Sequence, residues 1–332
     1  MTAVLFAHVV AAIALTAQAP APPATTPARV TTMRDTTEIA ALRAAWREAL
    51  ELDVPSEILT AGAWVEREVS VDPELTALYA RALHASGEDE RARKLLTRGE
   101  SAPLVLAAAR IALDADEIAR AAKLLTIAEG PTAGTPRFPD ESECWLLLGR
   151  AEARAGQTSR AESNLAEFVK RAPWHVEAPQ AWFLLVDAAR ARGDAAEAQR
   201  RESTRAKSAE WHAFYRARRV QVRASPAEPL PRYGLAQLWF AAGEFTSARR
   251  EVERALELDA RFCRGLELDA EIARRLGELE RARLGCAAAL ACDAELVEVH
   301  LTLARLARDA GESQTAAQHL ERYRRLGGTR EP

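Results

Sequence analysis

The chain has 332 residues, with 45 Lys and Arg against 48 Asp and Glu, giving a net charge of −3. Gly and Pro number 16 each, Cys 4, and aromatics are 6%, which excludes collagen-like, broadly low-complexity and disulfide-scaffold classes. Ala is about a fifth of the chain, roughly double its ordinary share. With Leu, Arg and Glu it marks an all-α protein, because these residues lose least on entering a helix.

The charge balance lacks the basic excess of a dedicated nucleic-acid binder. The basic residues are nearly all Arg, the exceptions being Lys94, Lys123, Lys170 and Lys207. Residues 3–17, AVLFAHVVAAIALTA, are apolar, short for a membrane span and the right size for a signal-peptide core. Ala17-Gln18-Ala19 offers a small-x-small cleavage pattern, although no Lys or Arg precedes Arg29 and Pro20 would follow the cut. Two readings stand. Residues 1–19 are a signal peptide and the protein is exported to the periplasm or cell envelope, or translation starts at Met33 and it is cytoplasmic. No Cys precedes Cys144, which argues against a lipoprotein anchor. Residues 20–36 form a Pro/Ala/Thr-rich tether.

Residues 37–52 predict an amphipathic helix with Ile39, Leu42, Trp46 and Leu50 on one stripe. Residues 131–140, PTAGTPRFPD, predict a loop. Residues 213–228 predict an irregular connecting helix of aromatic and basic residues, closed by Pro226, Pro229 and Pro231. Trp211, Phe214, Tyr215, Arg216, Arg218 and Arg219 there could read as a nucleic-acid strip. The alternative is that the aromatics pack the structure, and the charge balance favours it.

The C-terminal third is periodic. Gly243, Gly277 and Gly311 are spaced by 34, as are Ala236, Ala270 and Ala304, and Ala248, Ala282 and Ala316. Two helical patterns flank each Gly: Leu235, Ala236 and Trp239 share one face before Gly243, and Ala248, Val252 and Ala255 share one after it. Gly243 stands where a helix ends and the chain reverses. The small residues mark places where the two helices cross closely.

Residues 229–262, with LAQLWFAAGEFTSARREVERALELDARF, and their copies at 263–296 and 297–330 resemble the tetratricopeptide repeat family. The resemblance implies an all-α, right-handed superhelical solenoid of αα-hairpins that stack because one hairpin cannot bury its own face. With that template, degenerate copies appear upstream in the block 37–212. Residues 73–104 carry Tyr79-Ala80, Gly87, Ala92 and Leu96, and residues 102–130 carry Ala109, Ala121 and Leu125 with Asp116 in place of the turn Gly. Residues 142–175 carry Trp145, Leu148-Gly149, Gly156, Ala161 and Leu165, and residues 179–212 carry Trp182, Leu185, Gly193 and Ala198. About seven hairpins result, the C-terminal three most regular. Three departures carry expectations. Asp269 replaces Leu, so its helix packs less well or uses a partner. Phe168 replaces a small residue and widens its hairpin. Ala260 and Ala294 replace Pro, so helix ends run on.

No chemistry-bearing motif emerges. The six His are scattered, no Cys-x-x-Cys or His-Glu-x-x-His occurs, and there is no Gly-rich phosphate loop or Gly-x-Ser-x-Gly elbow. The reading is a non-enzymatic protein with no cofactor, no metal and no nucleic-acid partner. An enzyme built on the solenoid would need a pocket of perturbed titratable groups. His300 and Cys286 fall on inward stripes and read as packing. Cys263 and Cys292 fall at neighbouring ends of one antiparallel hairpin, so export would admit a disulfide between them.

The family resemblance places a partner-binding groove on the first helices. Its candidates are Tyr233, Gln237 and Phe240, Arg274 and Arg275, Arg305 and Arg308, and upstream Arg150, Arg154 and Arg190, beside Glu267, Glu271, Leu301 and Phe183. Arg forks beside an aromatic spot suit a peptide or partner helix bearing carboxylates. The competing reading is an ordinary solvated face. Chaperone-tail-binding members of the family use a Lys/Asn clamp, and Gln237, Glu271 and Arg305 stand where Asn is wanted. The expected role is a protein-interaction scaffold in the cell envelope, with a cytoplasmic regulatory or signalling adaptor as the alternative.

Overall fold

The computed structural model describes residues 36–67, 72–126 and 136–329. The signal segment 1–19, nearly all of the tether 20–36 and most of the expected loop 131–140 lie outside them. The described chain is helical, with one isolated antiparallel bridge between Thr126 and Pro136. No helix among the described residues is long and apolar enough to cross a membrane. By packing, the chain divides at His212/Ala213 into two units.

The first unit opens with α1 (Thr36–Glu51) and α2 (Pro55–Gly62), the latter running into a short 3-10 turn (Ala63–Glu66). Trp46 of α1 is buried, with Ile39, Leu42 and Leu50 packed against the same core. Hairpins follow: α3 (Pro73–Ala85) with α4 (Asp89–Leu96), α5 (Ala102–Asp114) with α6 (Ile118–Leu125), and α7 (Ser142–Arg154) with α8 (Thr158–Arg171). Then come α9 (Ala178–Ala191) and α10 (Ala195–Ala224), of which residues from Ala213 on belong to the second unit. The aromatic-basic segment is the second half of α10. Nothing between residues 195 and 224 is Pro or Gly, so no breaker ends that helix before Ser225-Pro226.

The second unit holds the regular repeats: α11 (Pro229–Ala241) with α12 (Phe245–Leu258), α13 (Cys263–Arg275) with α14 (Leu279–Cys292), and α15 (Val297–Asp309) with α16 (Ser313–Arg325). Within each unit the first helices of successive hairpins pack side by side, as α3, α5 and α7 do, and as α11, α13 and α15 do. These first helices line one side of each unit, and the candidate partner-binding residues belong to first helices.

The turns explain why the hairpins close. Gly87, Gly156, Gly193, Gly243, Gly277 and Gly311 have φ between 74° and 82°, and Asp116 takes the same left-handed turn at φ 61°. Each lets the next residue's amide reach back five positions, as Glu244 N–H does to Trp239 O at 3.0 Å and Glu117 N–H to Ala112 O at 2.7 Å. Twelve residues separate the partners at each crossing: Ala80 and Ala92, Ala109 and Ala121, Gly149 and Ala161, Ala236 and Ala248, Ala270 and Ala282, Ala304 and Ala316. These positions are buried. At α9/α10 the first partner is Val186.

Three sequence expectations are corrected or refined here. Phe168 is fully buried, edge-on to His175 with ring centroids 5.3 Å apart, and does not force its hairpin open. Gly149 supplies the closeness, since a Cβ there would lie 2.7 Å from Leu165 Cγ. α12 and α14 do not run on. They end at Leu258 and Cys292, where the Asp259 and Asp293 carboxylates accept from the amides of Arg261 and Glu295, each at 2.9 Å. Asp269 finds its partner across its own hairpin, where Arg281 Nη2 lies 3.1 Å from Oδ1.

Candidate functional site

In the second unit the expected aromatic anchors are covered by the chain itself. Tyr233 stands edge-on to Phe262, centroids 5.2 Å apart, and its hydroxyl accepts from Gln237 Nε2 at 2.9 Å. Phe240 lies 5.5 Å from Phe245, and the Arg275 guanidinium sits 4.8 Å over Phe245 and 6.0 Å over Phe240. These side chains brace α11 against its neighbours and are half-buried, except Gln237 and Arg275, which are exposed.

The Arg forks of this unit are answered in place. Arg274 donates twice to Glu271, at 2.8 Å each, and reaches Asp309 at 3.5 Å. Arg305 lies 3.4 Å from the same Glu271 carboxylate, and Thr302 Oγ1 donates to it at 3.1 Å. Arg308 is exposed in the last turn of α15. Leu301 is buried and belongs to the interior, which corrects its place among the groove residues.

In the first unit Arg150 reaches Glu177 at 3.1 Å and Asp114 at 3.5 Å, and Arg154 donates to the Leu113 carbonyl. Arg190 stands apart on α9, 3.4 Å from Asp187 and 4.0 Å from Glu202. Among these arginines Arg274, Arg305, Arg150 and Arg190 face carboxylates of the chain and Arg154 a carbonyl, whereas Arg275 lies over Phe240 and Phe245.

A buried charge cluster on the first helices was not read from the sequence. Arg110 of α5 places one Nη2 between Glu143 at 2.5 Å and Glu177 at 2.6 Å, three side chains from three successive hairpins. Burial raises the cost of ionising Glu143, but the Arg110 and Arg81 charges outweigh it and hold the carboxyl down at about 2. Glu177 is held low against its own burial by Arg110 and Arg150, and burial pushes the His175 pKa down. His84 lies between Asp89 at 2.6 Å and Asp114 at 3.4 Å. The available signal was charge complementarity at about the repeat period: Arg110 and Glu143 are 33 residues apart, Arg150 and Asp114 36, and Arg305 and Glu271 34.

Glu251 and Glu152 are also buried. Glu251 is met by Arg232 at 3.4 Å and Arg254 at 3.3 Å. Glu152 accepts from Asn164 at 2.5 Å and edges an apolar cleft of about 490 Å3 between α6, α7 and α8. Burial pushes its pKa up. His300 and His319 face each other with Nδ1 atoms 3.3 Å apart, and burial lowers both pKa values. Cys263 and Cys292 form a disulfide with Cα atoms 5.5 Å apart. Cys144 and Cys286 are free and buried, and burial pushes the Cys286 thiol up to about 12. Among the described residues no group of three or more metal-ligating side chains gathers.

No family model matches the sequence, and no curated protein matches it. Solved structures of similar fold include the Cut9–Hcn1 hetero-tetramer of APC/C, at 16% identity over 83% of this chain and 49% of that one, TM-score 0.33. YrrB, a TPR protein with an unusual peptide-binding site, aligns at 12% identity over 57% of this chain and 87% of its own, TM-score 0.29. MamA from Desulfovibrio magneticus RS-1 aligns at 16% identity over 56% of this chain and 95% of its own, TM-score 0.29. The 34-residue period of the last three hairpins and the left-handed turns that close the hairpins make the described chain an all-α solenoid of stacked αα-hairpins.

Proposed function

We propose that the protein is a non-enzymatic interaction scaffold that holds a peptide or helix of a partner protein on the shared face of its first helices. The observation carrying this reading is the side-by-side packing of α3, α5 and α7, and of α11, α13 and α15, which leaves charged and aromatic side chains partly accessible in adjacent rows. A solenoid spends its apolar residues on stacking and leaves such rows as its broadest recognition surface. Tyr233, Gln237 and Phe240 with Arg274, Arg275, Arg305 and Arg308 form the row of the second unit, and Arg150, Arg154 and Arg190 belong to the first. Because most of these arginines already hold a carboxylate of the chain, a partner binds by competing for them or by using what they leave open.

Export to the periplasm or cell envelope is part of the proposal. Its support is the apolar segment 3–17 together with the Cys263–Cys292 disulfide, since thiols in the cytosol are kept reduced. Sequencing of the mature N-terminus tests it: a cut after Ala19 supports export, and an intact cytosolic chain overturns it. The scaffold reading is tested by affinity capture from the source cell with the full chain and with Tyr233→Ala/Phe240→Ala/Arg274→Ala. Loss of the captured partner from a folded triple variant supports the second-unit row. Recovery equal to that of the unaltered chain places the contact elsewhere.

A further inference from the structure

Three positions after each crossing residue, the first helix carries a side chain that is buried or half-buried in each of the seven described hairpins. In six of them it is apolar: Leu83, Ala112, Ala189, Trp239, Ala273 and Ala307. In α7 it is Glu152, which is 4% exposed. Stacking does not call for a carboxylate here, since six hairpins stack without one. The carboxylate also costs stability, because burial penalises its charged form and raises the Glu152 pKa against Asn164 and Arg160. Oε2 accepts from Asn164 Nδ2 at 2.5 Å, and Oε1 stands 3.0 Å from Arg160 Nε in an ion pair. Oε1 nevertheless accepts no hydrogen bond, although it is sealed from solvent.

Glu152 lines the cleft of about 490 Å3 whose walls are Ile118 and Ala122 of α6 and Leu148 and Ala151 of α7. The same place one hairpin upstream, between α4, α5 and α6, is a cleft of about 180 Å3. There Ala112 replaces Glu152, and Arg93 stands where the larger cleft has Ala122. The larger cleft therefore combines what the smaller one lacks: open apolar room and a buried acceptor. Such a combination orients a small ligand, with apolar walls for affinity and one polar group for direction. Arg160 already supplies positive charge, so the missing complement is a neutral donor. We infer that this cleft is a binding site for an uncharged, largely apolar small molecule that donates one N–H or O–H to the Glu152 carboxylate. The site does not depend on the scaffold reading.

The test is fluorescence titration of the full chain with N-phenyl-1-naphthylamine, an uncharged molecule whose single N–H joins two aromatic groups. Competition by 1-phenoxynaphthalene, in which an ether oxygen replaces that N–H, supplies the control. The expected result is saturable binding of the amine at micromolar concentration and at least tenfold weaker binding of the ether, because a hydrogen bond to a charged group is lost. Ala122→Leu fills the cleft and should weaken both compounds at least fivefold. Glu152→Leu installs the side chain that α3 carries at this register. Its melting temperature should equal or exceed that of the unaltered chain, which keeps the variant interpretable. In it the tenfold preference for the amine should vanish. Three results overturn the assignment: no saturable binding up to the solubility limit of the amine, binding that a folded Ala122→Leu leaves unchanged, or a preference for the amine that survives Glu152→Leu.

Discussion

Arg110 holds Glu143 across two hairpins, with Nη2 2.5 Å from Oε1 and both groups mostly buried. The pair ties α5 to α7 beside the apolar cluster in which Leu106, Ala109 and Leu113 pack with Cys144, Leu147 and Leu148.

Breaking it from one side leaves an uncompensated charge, so Arg110→Met should destabilise the protein by about 3–5 kcal/mol. The double change Arg110→Met/Glu143→Leu should recover much of that, because both charges then leave together. Urea unfolding of the four proteins of this cycle measures the coupling. A double variant as unstable as the single one would show that Arg110 acts through Glu177 instead.

The same carboxylate gives the protein an acid limit. Glu143 is held at about 2 in the fold, below the ordinary value near 4.5. The unfolded chain therefore takes up its proton first as pH falls. The stability from this group is complete above pH 4.5 and is lost between 4.5 and 2, on the order of 3 kcal/mol in all. Chemical denaturation at a series of pH values should show that loss, and Glu143→Gln should flatten it.

His300 and His319 set a second, higher threshold in the last hairpin. Burial depresses both, so the unfolded chain binds protons on them more readily. The sign is the same: stability is full above the ordinary value of 6.5 and falls as pH drops below it. Melting temperatures between pH 7.5 and 5.5 should decline, and less so in His300→Leu. An equal decline in that variant would place the titration elsewhere.

The turns make a backbone prediction. Gly243 sits at φ 82°, where a Cβ meets nothing within 4 Å but the left-handed conformation itself is costly. Gly243→Ala should cost about 1–2 kcal/mol. Asp116→Asn should change stability by less than about 0.5 kcal/mol, because Asn tolerates that region as well as Asp does. A large loss in Asp116→Asn would mean that the carboxylate, not the backbone, is what the turn needs.

Thiol counting checks the disulfide. The denatured, unreduced chain should titrate two thiols, Cys144 and Cys286, and the reduced chain four. Cys263→Ser/Cys292→Ser should lose about 3 kcal/mol, the closure entropy of a loop of this size.

The fold was legible because its determinants are local and repeated. A left-handed turn demands Gly, a close crossing demands Ala, and thirty-four residues later the same demands recur; even Asp116 was readable as a turn residue from its register. The binding face was less legible. Tyr233 and Phe240 read as exposed on their helix, but Phe262 and Phe245 from the flanking segments cover them, and that covering depends on how hairpins nest. The Arg110 cluster was missed because Glu177 lies 67 residues away, two hairpins along, where no single-repeat pattern records it. The absent Pro at Ala260 and Ala294 misled for a simpler reason: Asp259 and Asp293 stop those helices through their own side chains.

Both cysteines of the disulfide belong to one 34-residue unit and stand 29 positions apart. The bond therefore encloses one hairpin and fastens it to no neighbour. If the protein were stretched from its two ends, every other hairpin would release its full contour length. This one would withhold about 100 Å, the extended length of the chain inside the bond. In single-molecule pulling, reduction should lengthen exactly one of the unfolding steps by that amount.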